Sequence, residues 1–220
     1  MTFHNGEKFD ADDVVYTLTY ISNPENGAKP ARNVNWWDSA EKLGDYKVRL
    51  NLTKEFPAAL EFLSGPIVMY PNEYYAEVGP EGMAMKPVGT GPYAVTSVEP
   101  GKRYKFKKND NYHASSPKGQ ANIGNIVIRT IAESNTQLAE LFSGGVDWIW
   151  KVKPDQAQRI SAQGQFTVKN ASTMRIGYLN FDAMGRHSEN PMNDVRVRRA
   201  IAHAIDREGI VNALVGGESI

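Results

Sequence analysis

The chain reads as an α/β protein, or an α+β one, built on a mixed parallel and antiparallel sheet. Three observations predict this. Runs with alternating apolar residues interleave with runs at helical spacing along the 220 residues. A hairpin signature occupies residues 92–108, with Glu99-Pro100-Gly101 between two alternating runs. Helix start and stop signals recur, from Asp10 to Gly144-Gly145.

The elements follow in order. Asp10 can cap a helix over ADDVVYTLTYI, with Asp13 at the capping-box position and Val14, Val15, Leu18 and Ile21 at helical spacing. Residues 22–35 are polar and carry Pro and Gly, so they predict a loop. YKVRLNLT (46–53) alternates and predicts a strand. PAALEFLS predicts a short helix with an initial Pro, PIVMY (66–70) a short buried strand, and NEYYAEV another short helix. In the segment PVGTGPY (87–93), Pro and two Gly predict a sharp bend before the hairpin. A polar loop, NDNYHASSPKGQA, precedes a strand over 123–132. SNTQLAELFSGG predicts a helix capped by Ser134, VDWIW (146–150) a strand, and PDQAQRISAQ a helix with an early Pro. QFTVKNAS and RIGYLNFDA predict two strands. DVRVRRAIAHAI and DREGIVNALV predict two consecutive helices, with Gly216-Gly217 as the stop.

Composition narrows the function. Hydrophobic content of 41% and charged content of 23% are ordinary for a globular chain, and this length suits one large domain or two small ones. A formal net charge of zero argues against nucleic acid as the main partner, which favours a basic face. Without cysteine there is no disulfide framework, thiol nucleophile or zinc–thiolate site. No apolar stretch reaches the roughly 18 residues that span a bilayer. MTFHNGEKF has neither a basic n-region nor an apolar h-region, so the reading expects no signal peptide in this chain. His4, His113, His187 and His203 are scattered without H-x-x-x-H or H-E-x-x-H spacing, so no metal site is expected. G-x-S-x-G and G-x-x-x-x-G-K-[ST] are also absent, and the paired carboxylates Asp12-Asp13 sit at a helix start where capping explains them. The expectation is a protein without catalysis and without a cofactor.

Several blocks recur in one order. Phe3, Asn5, Gly6, Phe9, Ala11, Asp13, Val14 and Val15 fit an FxNGxxFxAxDVV pattern, and Pro87 to Gly101 fits PxGTGPYxVxxxxPG. Asn109 to Tyr112 fits N-x-x-Y, with His113 where Trp is usual. Leu141, Gly144 or Gly145 and Asp147 fit L-x-x-G-x-x-D, and Tyr178, Leu179 and Phe181 fit Y-L-x-F-N with Asp182 in place of Asn. Val197, Arg198, Ala200, Ile201, Ala204, Ile205, Asp206 and Arg207 fit V-R-x-A-I-x-x-A-I-D-R. In this order the blocks resemble the extracytoplasmic solute-binding proteins of the peptide, nickel and opine family (family 5) of ABC importers.

The resemblance implies part of a type II periplasmic-binding-protein-like fold, a two-lobed receptor that closes on its ligand. It places residues 1–86 in the small lobe, 87–192 in a hinge-side lobe with the hairpin and mixed sheet, and 193–220 at the start of a second large lobe. It implies a fragment of a longer, periplasmic or extracytoplasmic receptor that hands an oligopeptide or other small solute to a membrane permease. A nickel or opine ligand, or a scaffold that binds no ligand and self-associates, is the alternative.

Candidate ligand residues are Trp36 and Trp37, whose aromatic pair can wall a cleft or pack inward, together with Tyr70 at the end of PIVMY. Tyr178 lies, by resemblance, on a strand entering the cleft, beside Asn180. Asp182 can meet a ligand amine or cap the turn before Met184-Gly185. Thr90 and Gly91 can touch ligand or serve the turn, Arg196 and Arg199 share a solvated helix face, and the Lys102–Lys108 cluster reads as the outer face of a strand.

Overall fold

The computed structural model describes residues 1–28, 31–65, 67–171, 177–186 and 189–214. Two compact units divide the chain, Met1–Thr130 and Ile131–Ile220.

In the first unit, helix α1 (Ala11–Ser22) starts where the capping box places it. The Asp10 side chain accepts the Asp12 N–H at 2.9 Å, and Asp13 Oδ2 accepts the Asp10 N–H at 2.9 Å. A short helix, α2 (Ala31–Val34), lies inside the stretch expected to be loop. Strand β1 (Trp37–Gly44) then pairs antiparallel with β2 (Lys47–Leu52), in register Ala40 to Leu50. The sequence reading missed β1, because the charged run DSAEKLG hides its alternation; pairing with β2 supplies the order its own residues lack.

Helix α3 (Ala59–Ser64) begins two residues after Pro57 rather than on it. The expected strand PIVMY does not form over the described residues 67–70. Instead the Tyr70 N–H donates to the Thr17 hydroxyl at 2.9 Å, so a side chain replaces the missing ladder. Helix α4 (Asn72–Met85) runs longer than expected and kinks at Gly79, whose φ of 63° only glycine adopts cheaply, directly before Pro80.

The hairpin forms as expected. Strands β3 (Tyr93–Glu99) and β4 (Arg103–Lys108) pair antiparallel around Gly101, which sits at φ 71°, and β5 (Asn125–Arg129) adds to the far side of β4. All strand pairs among the described residues are antiparallel. The core of this unit gathers Leu18, Ile21, Val34, Trp36, Trp37 and Ile67 beneath α1.

In the second unit, helix α5 (Ser134–Phe142) is capped by Glu133 rather than Ser134: Glu133 Oε2 accepts the Thr136 N–H at 2.7 Å. Helix α6 (Pro154–Ala162) carries Pro at its first position. Leu138, Leu141 and Ile160 form the core between these helices, joined by Val146, Ile149, Val152 and Phe166. The expected strands VDWIW and QFTVKNAS are absent among the described residues, as is a strand over 177–183. Alternation alone makes no strand without a neighbour to share hydrogen bonds; here Val146, Ile149 and Val152 pack on the helices instead. Part of RIGYLNFDA, His187 and Gly216-Gly217 lie outside the described residues. Helices α7 (Val195–Ala204) and α8 (Arg207–Leu214) form as expected, with Asp194 accepting the Arg196 N–H at 2.8 Å and Asp206 accepting the Gly209 N–H at 2.8 Å.

Candidate functional site

The recurring blocks of the first unit meet at one carbonyl. His4 Nε2 lies 2.9 Å from the Gly91 oxygen, and the Asn109 Nδ2 amide donates to the same oxygen at 3.1 Å. The Gly89 N–H donates to His4 Nδ1 at 3.3 Å, while the His4 N–H donates to the Gly89 carbonyl at 2.8 Å. A carbonyl offers no proton, so Nε2 carries the hydrogen and Nδ1 is the bare acceptor. Residues 85 to 87 positions apart, and Asn109 beyond them, thus lock the Pro87–Pro92 segment from both sides. The bend owes less to glycine than expected: neither Gly89 nor Gly91 has a positive φ. His4, which lacked any recognisable spacing partner, is the residue that sequence reasoning missed here.

A second assembly lies along α1 and α4. Tyr70 stacks on Tyr75 at 4.5 Å, Tyr20 meets Tyr75 edge-on at 5.1 Å, and Tyr16 stacks on Tyr20 at 6.0 Å. Burial pushes the phenols of Tyr16, Tyr70 and Tyr75 up from their ordinary value, and a hydrogen bond with Tyr20 raises Tyr75 further. Tyr70 is half-buried in this cluster.

Of the sequence-predicted residues, Trp36 and Trp37 lie together in the core of the first unit with Tyr70 packed against that core, and Tyr178, Asn180 and Asp182 belong to the second unit. Trp36 and Trp37 are 1% and 4% exposed, with Trp36 stacked on Phe56 at 4.7 Å and its indole N–H donating to the Asn33 carbonyl at 2.9 Å. Tyr178 is 78% exposed and Asn180 is exposed beside it. The Asp182 carboxylate accepts the Met184 N–H at 3.3 Å and pairs with Arg186 at 3.2 Å, the turn-forming role of the two considered. Arg196 pairs with Asp194 at 2.6 Å on the solvent side of α7.

The second unit also holds two indoles that the reading took only for strand residues. Trp148 and Trp150 are 77% and 67% exposed, with ring centres 6.4 Å apart and Lys151 Nζ 5.1 Å over the Trp150 ring. Their signal was present: two Trp one residue apart, bracketing an apolar Ile. Among the described residues, no group of three or more His, Cys, Asp or Glu is placed to hold a metal ion, and no helix is long and apolar enough to cross a membrane.

Comparison with known proteins adds family context. The sequence profile of the bacterial extracellular solute-binding proteins, family 5 Middle, matches residues 1–220. A Brucella ovis protein named for ABC-transporter peptide binding is 25% identical over 98% of this chain and 40% of its own length. The glutathione-binding protein GsiB of Pectobacterium atrosepticum is 25% identical over the same shares. The crystal structure of NikZ from Campylobacter jejuni in complex with Ni(L-His) superposes with a TM-score of 0.79 at 25% identity, covering 100% of this chain and 43% of that one. The chain therefore spans about two-fifths of the length of the relatives it matches.

Proposed function

The chain belongs to the bacterial extracellular solute-binding proteins of family 5, a transport family rather than an enzyme family, and from that premise we propose that it forms part of a receptor that captures a peptide-like solute outside the cytoplasm for an ABC permease. The observation that carries this reading is the match along all 220 residues, with three of its blocks spent on one structural knot at Gly91. Such a knot shapes a scaffold and leaves recognition to exposed side chains. The exposed Tyr178 and Asn180 are the ligand-facing candidates of the second unit, with Asp182 in the turn that follows them, while in the first unit Trp36 and Trp37 are core residues and Tyr70 is half-buried against Tyr75. The lobe division at 86/87 and 192/193 belongs to this proposal.

Calorimetric titration with di- and tripeptides, glutathione and nickel with histidine tests it. Peptide binding is the expected result. Binding of the nickel complex alone would move the chain to the alternative ligand class, and no binding by any of them would overturn the receptor reading. A second reading has one observation behind it: Val127 and Ile128, neighbours on β5, are 53% and 52% exposed. Open apolar residues on both sides of a strand invite a second copy, and light scattering that shows a stable dimer without ligand response would favour self-association.

A further inference from the structure

The geometry points to a stacking subsite at Trp148 and Trp150, with Lys151, for a peptide that presents an aromatic side chain next to its terminal carboxylate; this rests on the solute-receptor reading above. Of the chain's four tryptophans, two are core residues and these two are not. Their exposure is not the product of a loose end. Ile149 between them packs into the cluster of Leu138, Leu141 and Ile160, which anchors the segment and turns its neighbours outward. The two indoles flank Ile149, and their ring centres lie 6.4 Å apart with the planes tilted by 53°.

Indoles held outward lose the burial that normally repays a large ring, so a protein surface seldom keeps two side by side without a partner. The partner's chemistry follows from the third residue. Lys151 is the one non-glycine residue among those described with a positive φ, 58°, and it is placed with its ammonium 5.1 Å over Trp150. That conformation is costly for a residue with a Cβ and clusters where a site needs it. Here it sets a cation over one of the two neighbouring indoles. A neutral aliphatic solute uses the faces and wastes the charge; a cationic one is repelled. An aromatic ring stacks on the indoles while an adjacent carboxylate meets the ammonium.

The test titrates the 220-residue chain with Ala-Ala-Ala, Ala-Phe-Ala and Ala-Phe-Ala carrying a C-terminal amide. Ala-Phe-Ala is expected to bind about fivefold tighter than Ala-Ala-Ala, in line with one aromatic stacking contact. That advantage is expected to vanish in Trp148→Ala and Trp150→Ala. Trp148→Leu and Trp150→Leu keep apolar bulk without the π face, and lose it too, which covers any alanine variant that fails to fold. Amidation is expected to weaken binding about threefold in the parent and not in Lys151→Gln. If the two tripeptides bind alike, or the advantage survives the substitutions, the subsite is overturned while the receptor reading stands. If none of the three peptides binds, the receptor reading for peptides falls, and the subsite with it.

Discussion

Asp13 reaches across 59 residues of chain to accept the Asn72 N–H at 2.9 Å, while its other oxygen accepts the Asp10 N–H at the start of its own helix. One carboxylate, 3% exposed, therefore closes the capping box of α1 and satisfies the first N–H of α4, whose N-cap is Pro71 and has no side chain to offer. Asp13→Ala leaves both donors without partners inside the protein. The expected loss is about 2–4 kcal/mol, read from the urea midpoint. Asp13→Asn retains one acceptor oxygen and is expected to lose less; an alanine variant as stable as the parent would sink this account.

The two donors on the Gly91 carbonyl make a separable prediction. His4→Ala removes the bond to the Gly91 oxygen and the acceptor of the Gly89 N–H, Asn109→Ala removes the bond to that oxygen and the acceptor of the Asn111 N–H, and each is expected to cost about 1–2 kcal/mol. The double variant is expected to depart from additivity by about 0.5 kcal/mol or more, because both side chains act on one oxygen. Additive losses would mean that the two blocks are held independently.

Trp36 and Trp148 are expected to behave as opposites. Trp36→Ala empties a fully packed position against Phe56 and Trp37, at a cost of about 3–5 kcal/mol. Trp148→Ala touches an exposed ring and is expected to stay within about 0.5 kcal/mol of the parent. Acrylamide is expected to quench only part of the tryptophan emission, the part from Trp148 and Trp150. Uniform quenching would contradict the burial of Trp36 and Trp37.

Alkaline pH should unfasten the tyrosine cluster. Burial favours the neutral phenols of Tyr16, Tyr70 and Tyr75, so their folded values lie above the ordinary phenol range near about 10. Their contribution to stability is complete below that pH and drains away as pH rises through the raised folded values. Phenolate absorbance in the folded chain is expected to show a late-titrating fraction that merges with the other tyrosines in denaturant. Tyr75→Phe is expected to flatten the alkaline loss of stability; an unchanged slope would exclude Tyr75 as its source.

Local chemistry made much of this protein legible before folding. Asp10 and Asp13 announce α1 because the capping box is a contact among neighbours in sequence. Glu99-Pro100-Gly101 announces the hairpin because Gly101 can adopt its positive φ without a clashing Cβ. The ordered blocks identify the family for the same reason, since they are short and contiguous. What stayed hidden depends on partners far along the chain. β1 needed β2, α4 needed the carboxylate of Asp13, and the Pro87–Pro92 bend needed His4 and Asn109 more than its own glycines. Whether a tryptophan faces core or water is decided likewise: Trp36 and Trp148 have the same side chain, and only the residues packed around each one separate a core ring from an exposed one. Burial is a property of the assembled neighbours, so no pattern within the local sequence could have assigned it.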